Sequence, residues 1–455
     1  MDRRSIALFV SLLLSVLSSV SAVAVEYHVG PGQPLAAIGD VPWAGLAAGD
    51  RVMIHWRAAP YQEKWVINRQ GTAAQPIRIE GVRGPGGERP VIQGDGAVTP
   101  AGLNFWNEER GVIKIGGSNT PPDGLPSYIV IEGLEIRSGR PPYTFTNDGG
   151  GTQAYVDNAA AIYVEKAEHL TIRDCVLHDA GNGLFIGAFD GQTQDILIEG
   201  NYFYDNGIVG SAFEHNTYTE ALGITYQFNR FGPLRTGADG NNLKDRSAGL
   251  VVRYNWIESG NRQLDLVESD SAVLIADPRY RKTFVYGNVL IEPDGAGNSQ
   301  IVHYGGDNGN AASYRKGNLY FFHNTLVSTR TGNTTLLRLS TQDETADVRN
   351  NILLVTAAGN RLAMMNADGT LDLSHNWTKA GWVGSHGTLT GTINDDGTGV
   401  TGTDPGFADL GTQDFALVPG ADAEDAGGPL HAATLPDHLP VRHYVVHQGS
   451  VARPT

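Results

Sequence analysis

The chain has 455 residues, 41% of them hydrophobic, and a formal charge of −16, which suits one large solenoid or two to three ordinary domains and argues against a nucleic-acid partner. Its single cysteine, Cys175, excludes an intramolecular disulfide, so packing alone holds the fold and the thiol reads as a small buried hydrophobe. The same acidity gives an acidic polysaccharide no long-range attraction, so binding one would require a local basic groove.

Arg3 and Arg4 precede a mostly apolar run from Ile6 to Val20 and then Ala22-Val23-Ala24, the small-x-small form of an export-signal cleavage site. Residues 1–24 are expected to be that signal, and the mature chain, beginning near Val25, is one charge unit more negative. Arg3-Arg4-Ser5-Ile6 is an incomplete twin-arginine motif. No later stretch approaches the ~20 apolar residues that a bilayer requires. The expectation is an exported monomer without a membrane span, periplasmic or extracellular.

Next come Tyr27-His28-Val29-Gly30-Pro31-Gly32, the turn and strand Gly49-Asp50-Arg51-Val52-Met53-Ile54, and Gln75-Pro76-Ile77-Arg78-Ile79-Glu80-Gly81. This succession resembles the opening rungs of secreted parallel β-helix proteins, polysaccharide lyases among them. Ile129-Val130-Ile131 and Leu170-Thr171-Ile172 are early copies of a repeated strand, with Leu134 and Cys175 at its corner. From Ile196 onward the repeat puts asparagine at that corner: Asn201, Asn229, Asn255, Asn288, Asn324, Asn351 and Asn376, spaced 25 to 36 residues apart.

Strands of three to five residues, 58 glycines and no 3.6-residue apolar period predict an all-β fold, a right-handed single-stranded parallel β-helix. The aligned asparagines read as a structural column whose amides bond from rung to rung. Asp404-Pro405-Gly406-Phe407 and Asp414-Phe415-Ala416-Leu417 resemble the closing segment of such proteins. The expected division is a coil with N-terminal cap rungs over 25–425 and a tail over 426–455. Two long intervals, 138–158 and 294–316, read as loops leaving the coil, able to wall a groove.

A further short strand in each repeat mixes polar with apolar residues: Leu184-Phe185-Ile186, Glu214-His215-Asn216-Thr217-Tyr218, Leu243-Lys244-Asp245-Arg246, Leu264-Asp265-Leu266, Ile301-Val302-His303-Tyr304 and Leu337-Arg338-Leu339. Where leucines flank a polar residue the leucines face the core, so Asp265 and Arg338 are expected to face outward, with His215, Lys244 and His303 in the same line. Four or five such rungs at ~4.8 Å make a strip ~15–20 Å long, fit for a few sugar units.

Cleaving a uronate polymer by β-elimination needs a group that neutralises the carboxylate, a base for the adjacent proton and an acid for the leaving oxygen. Lys244, Arg246, His215 and Tyr218 include residue types able to fill all three roles and are the candidate catalytic set. Either Lys244 is the base, its pKa lowered by Arg246, or His215 or Tyr218 is the base while Lys244 and Arg246 hold the carboxylate. Asp265, His303 and Arg338 are the candidate substrate-binding residues. Asp265, Glu268 and Asp270 could offer oxygen ligands to Ca²⁺, but the residues alone assign no metal site.

Asn242-Leu243-Lys244, followed by Ser247 and Arg253-Tyr254-Asn255, resembles the lysine-centred stretch of the chondroitinase-B and alginate-lyase family of β-helix enzymes. The resemblance implies Lys244 as base, an arginine one rung on as acid and a calcium ion on the carboxylate. At the arginine's place this chain has Asp265, with Arg262 nearby, a departure that touches both the acid and the metal. The resulting expectation is an exported lyase acting on an acidic glycan. Its rivals are a glycoside hydrolase using Asp239, Asp265 and Glu268, a uronate epimerase, and a non-catalytic glycan-binding surface protein.

Overall fold

Runs of alternating β-branched residues this short cannot form stable sheets alone and persist only when stacked on further copies. In the computed structural model, which describes residues 24–453, they stack into three long parallel sheets of 13, 11 and 10 strands. Except for Ala24, the expected export signal lies outside the described residues.

One turn shows the plan: Leu222–Gln227 lies in the first sheet, Arg230–Phe231 in the second and Leu243–Asp245 in the third, before Ala248–Arg253 re-enters the first. Inward residues pair rung on rung, as in Ile224 on Leu250 and Tyr226 on Val252, all almost fully buried. Parallel crossovers of this kind wind right-handed, and the fold is the expected right-handed parallel β-helix. One detail differs. The polar strand does not follow the asparagine corner directly, because a second-sheet strand of two to four residues intervenes, such as Tyr202–Tyr204 or Val289–Glu292. So few residues carry too little alternation to be recognised in sequence.

The asparagine column is continuous. The backbone N–H of Asn201 donates to Asn229 Oδ1 at 2.9 Å, that of Asn229 to Asn255 at 3.0 Å and that of Asn255 to Asn288 at 2.9 Å, and the series runs on through Asn324 and Asn351 to Asn376. Cys175 heads it, donating its N–H to Asn201 Oδ1 at 3.0 Å, and burial pushes its thiol up to about 12. The residue before each asparagine turns through the left-handed region, which Gly200 and Gly287 accept without strain and Phe228 and Tyr254 do not. Asn255 Nδ2 also donates to Tyr226 O at 3.0 Å and to Asn288 Oδ1 at 3.0 Å. Replacing Asn255 by Ala therefore strands several buried groups, and chemical denaturation is expected to show a loss of at least ~1–3 kcal/mol.

At the N-terminal end Glu26–Val29 pairs with Arg51–His55, which pairs in turn with Ile77–Val82. At the other end Phe407–Asp409 and Asp414–Leu417 form an antiparallel hairpin. The segment from 426 to 453 lies back along the coil, with His438 stacked on Phe284 at 3.7 Å, Tyr444 on Trp256 at 5.9 Å, and Gln448 Nε2 donating to Gly200 O at 2.7 Å. No helix among the described residues is long and apolar enough to cross a membrane.

Candidate functional site

Residues between core-facing leucines of the third sheet must point away from the core, and register places five of them in one column: Tyr218 on Lys244, Lys244 on Asp265, Asp265 on His303 and His303 on Arg338. Beyond Tyr218 the column continues through Phe185 and Tyr163 to Lys114. His215 is not in this line. It precedes the strand Thr217–Thr219, and Tyr218 holds the expected outward place.

The corner nevertheless brings His215 to the cluster, with its ring edge-on to Tyr218 at 5.5 Å and 79°. Lys244 Nζ lies 5.8 Å from the centre of the Tyr218 ring and Arg246 Cζ 5.3 Å from it. The four candidate catalytic residues thus meet around one phenol. Its hydroxyl makes no hydrogen bond among the described residues. Burial raises the Tyr218 pKa and the charges of Arg246 and Lys244 pull it back, leaving it above the ordinary value.

Lys244 is largely buried, with Nζ 3.1 Å from Asp265 Oδ2. Burial alone would lower its pKa, but Asp265 and Asp307 outweigh burial and hold it above the ordinary value. A lysine so held is a cation, and this corrects the expectation that Lys244 is a neutral base activated by Arg246. Arg246 pairs with the exposed Asp270 and is likewise kept charged.

His215 is fully buried, and its Nδ1 accepts the backbone N–H of Asn241 at 2.9 Å. Burial, reinforced by the charge of Lys244, pushes its pKa down to about 3. It is therefore neutral near neutral pH, with its proton on Nε2 and its lone pair already used, so it can donate a hydrogen bond but not act as the base. Between its unfolded pKa of ~6.5 and about 3, only the unfolded chain binds this proton, so stability falls as pH falls through that window. His215→Asn keeps an acceptor for Asn241 and is expected to flatten the acid side of the stability profile by up to ~1.4 kcal/mol per pH unit, read by denaturant unfolding at successive pH values.

Asp265 and His303 point away from the core, yet neither is solvent-exposed. This corrects the expectation that both are exposed on the substrate-binding strip. Asp265 Oδ2 accepts from Asn241 Nδ2 at 2.9 Å as well as from Lys244, and Asp265 Oδ1 lies 2.8 Å from His303 Nδ1. Burial would raise the Asp265 pKa, but His303, Lys244 and Arg262 together hold it well below the usual carboxylate range. Arg338, half-buried at the end of the column, makes no hydrogen bond or ion pair among the described residues.

Asp265, His303 and the exposed Asp307 offer ligand atoms within 4.8 Å of one another. Calcium takes six to eight oxygens, whereas this group includes a ring nitrogen, and Lys244 and Arg262, at 3.1 and 3.8 Å, already neutralise Asp265. Glu268 spends its oxygens on the backbone N–H groups of Asp307 and Asn308, at 2.9 and 3.1 Å, and Asp270 pairs with Arg246. The oxygen ligands expected from Asp265, Glu268 and Asp270 are engaged elsewhere, and the residues present do not fit calcium.

Two positioning residues escaped sequence reasoning. Asn241 joins His215 to Asp265 through the two bonds given above. Arg315, fully buried, donates to Val267 O, Ser247 O and Asp245 O, each at 2.9 Å, and so clamps the turn that carries Lys244 and Arg246. It follows Gln300–Tyr304, a third-sheet strand that interrupts the 294–316 interval expected to be a loop, and nothing in the sequence signals that the interval's arginine returns to the core. A cavity of about 1240 Å³ lies elsewhere, between the C-terminal segment and the second sheet, lined by Trp256, Trp377, His323 and His443 among others. It holds none of the candidate residues, and Tyr444 and His447 pack against Trp256 there.

No family model and no curated protein matches the chain. Among solved structures it is similar to an alginate lyase from Paenibacillus sp. str. FPU-7, at 14% identity over 72% of this chain and 92% of that one, with a TM-score of 0.48. It is also similar to a lacto-N-biosidase from Eubacterium ramulus, at 12% identity over 83% of this chain and 67% of that one, TM-score 0.48. A third is the tailspike protein of E. coli bacteriophage HK620 in complex with a pentasaccharide, at 11% identity over 78% and 61%, TM-score 0.46. Each is a likeness of chain path and assigns no chemistry to this chain.

Proposed function

We propose that the strip on the third sheet is the active site of an exported polysaccharide lyase that cleaves a uronate-containing glycan by β-elimination. One observation carries this reading: the Tyr218 phenol, its hydroxyl unpartnered among the described residues, lies beside two held cations, with Lys244 Nζ at 5.8 Å and Arg246 Cζ at 5.3 Å from the ring centre. Two cations side by side suit a carboxylate, and neutralising it acidifies the adjacent C–H. Tyr218, as phenolate, takes that proton. The C–O bond to the leaving sugar breaks as the double bond forms, and the leaving oxygen recovers the proton from the tyrosine. His215, its Nδ1 fixed by Asn241, sets its ring edge-on to the phenol. Arg338 sits four rungs from Tyr218 in the same column, placed for the carboxylate of a neighbouring sugar.

The hydrolase alternative needs two available carboxylates, and of Asp239, Asp265 and Glu268 only Asp239 is exposed, the other two being buried and committed to protein partners. The test is incubation with a panel of polyuronates, reading the ultraviolet absorbance of unsaturated uronate alongside reducing ends. Growth of both is the expected result. Reducing ends without absorbance would show hydrolysis, and a change of uronate composition without chain cutting would show epimerisation; either result sinks the lyase reading.

A further inference from the structure

Ser340 follows the strand Thr334–Leu339 and was not among the residues the sequence singled out. Its Oγ lies 2.9 Å from His303 Nε2, on the far side of the ring from the 2.8 Å contact of Nδ1 with Asp265 Oδ1. Three neighbouring rungs thus set carboxylate, imidazole and hydroxyl in one line, the order required for a serine nucleophile activated by a positioned base.

The protons can be placed. Asp265 is a carboxylate, so His303 Nδ1 carries a hydrogen and donates it. Burial lowers the His303 pKa despite Asp265, so the ring is neutral and Nε2 keeps a lone pair directed at Ser340. Two carbonyls compete for the hydroxyl proton, Gly306 O at 2.8 Å and Tyr304 O at 3.4 Å. Rotation about the Cβ–Oγ bond turns the hydroxyl proton from Gly306 O to His303 Nε2, 2.9 Å away, and Oγ accepts the Gly306 backbone N–H at 2.9 Å. Gly305 permits this closure: a Cβ there would stand 2.5 Å from Ser340 Oγ, at a φ of 133°.

Two further features point toward a substrate. Ser340 is only partly buried, and the unpaired Arg338 guanidinium belongs to the same strand, two residues before it. We propose that Ser340, His303 and Asp265 form a second reactive centre, an acyl-transfer relay that removes O-acyl esters from an anionic glycan; the anionic class of substrate rests on the lyase reading of the strip. Ser340 Oγ attacks the ester carbonyl carbon as its proton passes to His303 Nε2. The bond to the sugar oxygen breaks and that oxygen takes the proton. Water then attacks the acyl-serine, its proton passing through Nε2 back to Oγ as the carboxylic acid leaves. Asp265 is a positioning residue that fixes the ring tautomer.

The test treats the wild-type protein with a fluorophosphonate probe, identifies the labelled peptide by mass spectrometry, and follows hydrolysis of 4-nitrophenyl acetate. Labelling of Ser340 is expected, with hydrolysis falling about 10³-fold or more in Ser340→Ala and His303→Gln, while Ser340→Ala keeps its absorbance-generating activity on polyuronates. Labelling without elimination would support the relay and overturn only the lyase reading. Elimination without labelling, or unchanged ester hydrolysis in Ser340→Ala, would overturn the relay. The labelling is read on the unmodified protein, so a variant that fails to fold does not shield the proposal.

Discussion

Asp265→Ala is expected to lower stability by about 3–5 kcal/mol and to abolish turnover in the same variant, because removing one member of a buried ionic group leaves its partners uncompensated. Lys244 Nζ, His303 Nδ1 and Asn241 Nδ2 all converge on this carboxylate, and none has full access to water in its absence. Asp265→Asn separates charge from shape. It retains an oxygen and the packing, but burial of Lys244 is then unopposed by the nearest negative charge, and the lysine pKa falls. The wild-type carboxyl is held below its unfolded value, so its contribution to stability is present above pH ~3.9 and is lost as pH falls below that. Urea unfolding at pH 7 and at successive values below pH ~3.9 checks both statements. A variant as stable and as active as wild type would show that the buried cluster supports neither fold nor chemistry.

How much of this was legible in sequence follows from where each signal resides. The asparagine column could be read because each residue recurs at a fixed place after a fixed alternation, and it is continuous through seven rungs. The outward line from Lys244 through Asp265 and His303 to Arg338 was legible for the same reason, since flanking leucines set its direction. Facing outward proved different from being exposed: Asp265 and His303 leave the core side of the sheet and are still fully buried, and alternation carries no information about what covers an outer face. His215 was misplaced because a corner residue and a strand residue three positions apart both fit a short polar run. Arg315 and Ser340 were invisible, their importance arising from contacts 70 and 37 residues away in the chain. The lysine's role reversed for a related reason: the sequence offers Lys244 both a nearby arginine and several aspartates, and the structure puts Asp265 Oδ2 3.1 Å from its Nζ.

Tyr218→Phe is the second change with a large expected effect, and it separates chemistry from stability where Asp265→Ala cannot. The hydroxyl has no protein partner among the described residues, while the ring retains its contacts with Phe185 and His215. Loss of the oxygen should change stability by no more than ~0.5 kcal/mol and leave KM nearly unaltered, while kcat for uronate elimination drops ~10²–10⁴-fold. The pH dependence carries a sign that can be worked out. The phenol must be ionised to accept the proton, and its pKa lies above the ordinary tyrosine value. The rate on a polyuronate should therefore rise by about tenfold per pH unit through the mildly alkaline range, while Lys244, also raised, keeps its charge. Lys244→Met removes one of the two charges that favour the phenolate, so its rising limb should move to higher pH as the maximal rate falls. A base of pKa about 3, as His215 would be, predicts instead a rate flat from mildly acidic pH upward. A flat profile, or a Tyr218→Phe enzyme with wild-type kcat, would remove the tyrosine from the proton transfer and leave Lys244 and Arg246 as a carboxylate clamp whose base lies elsewhere.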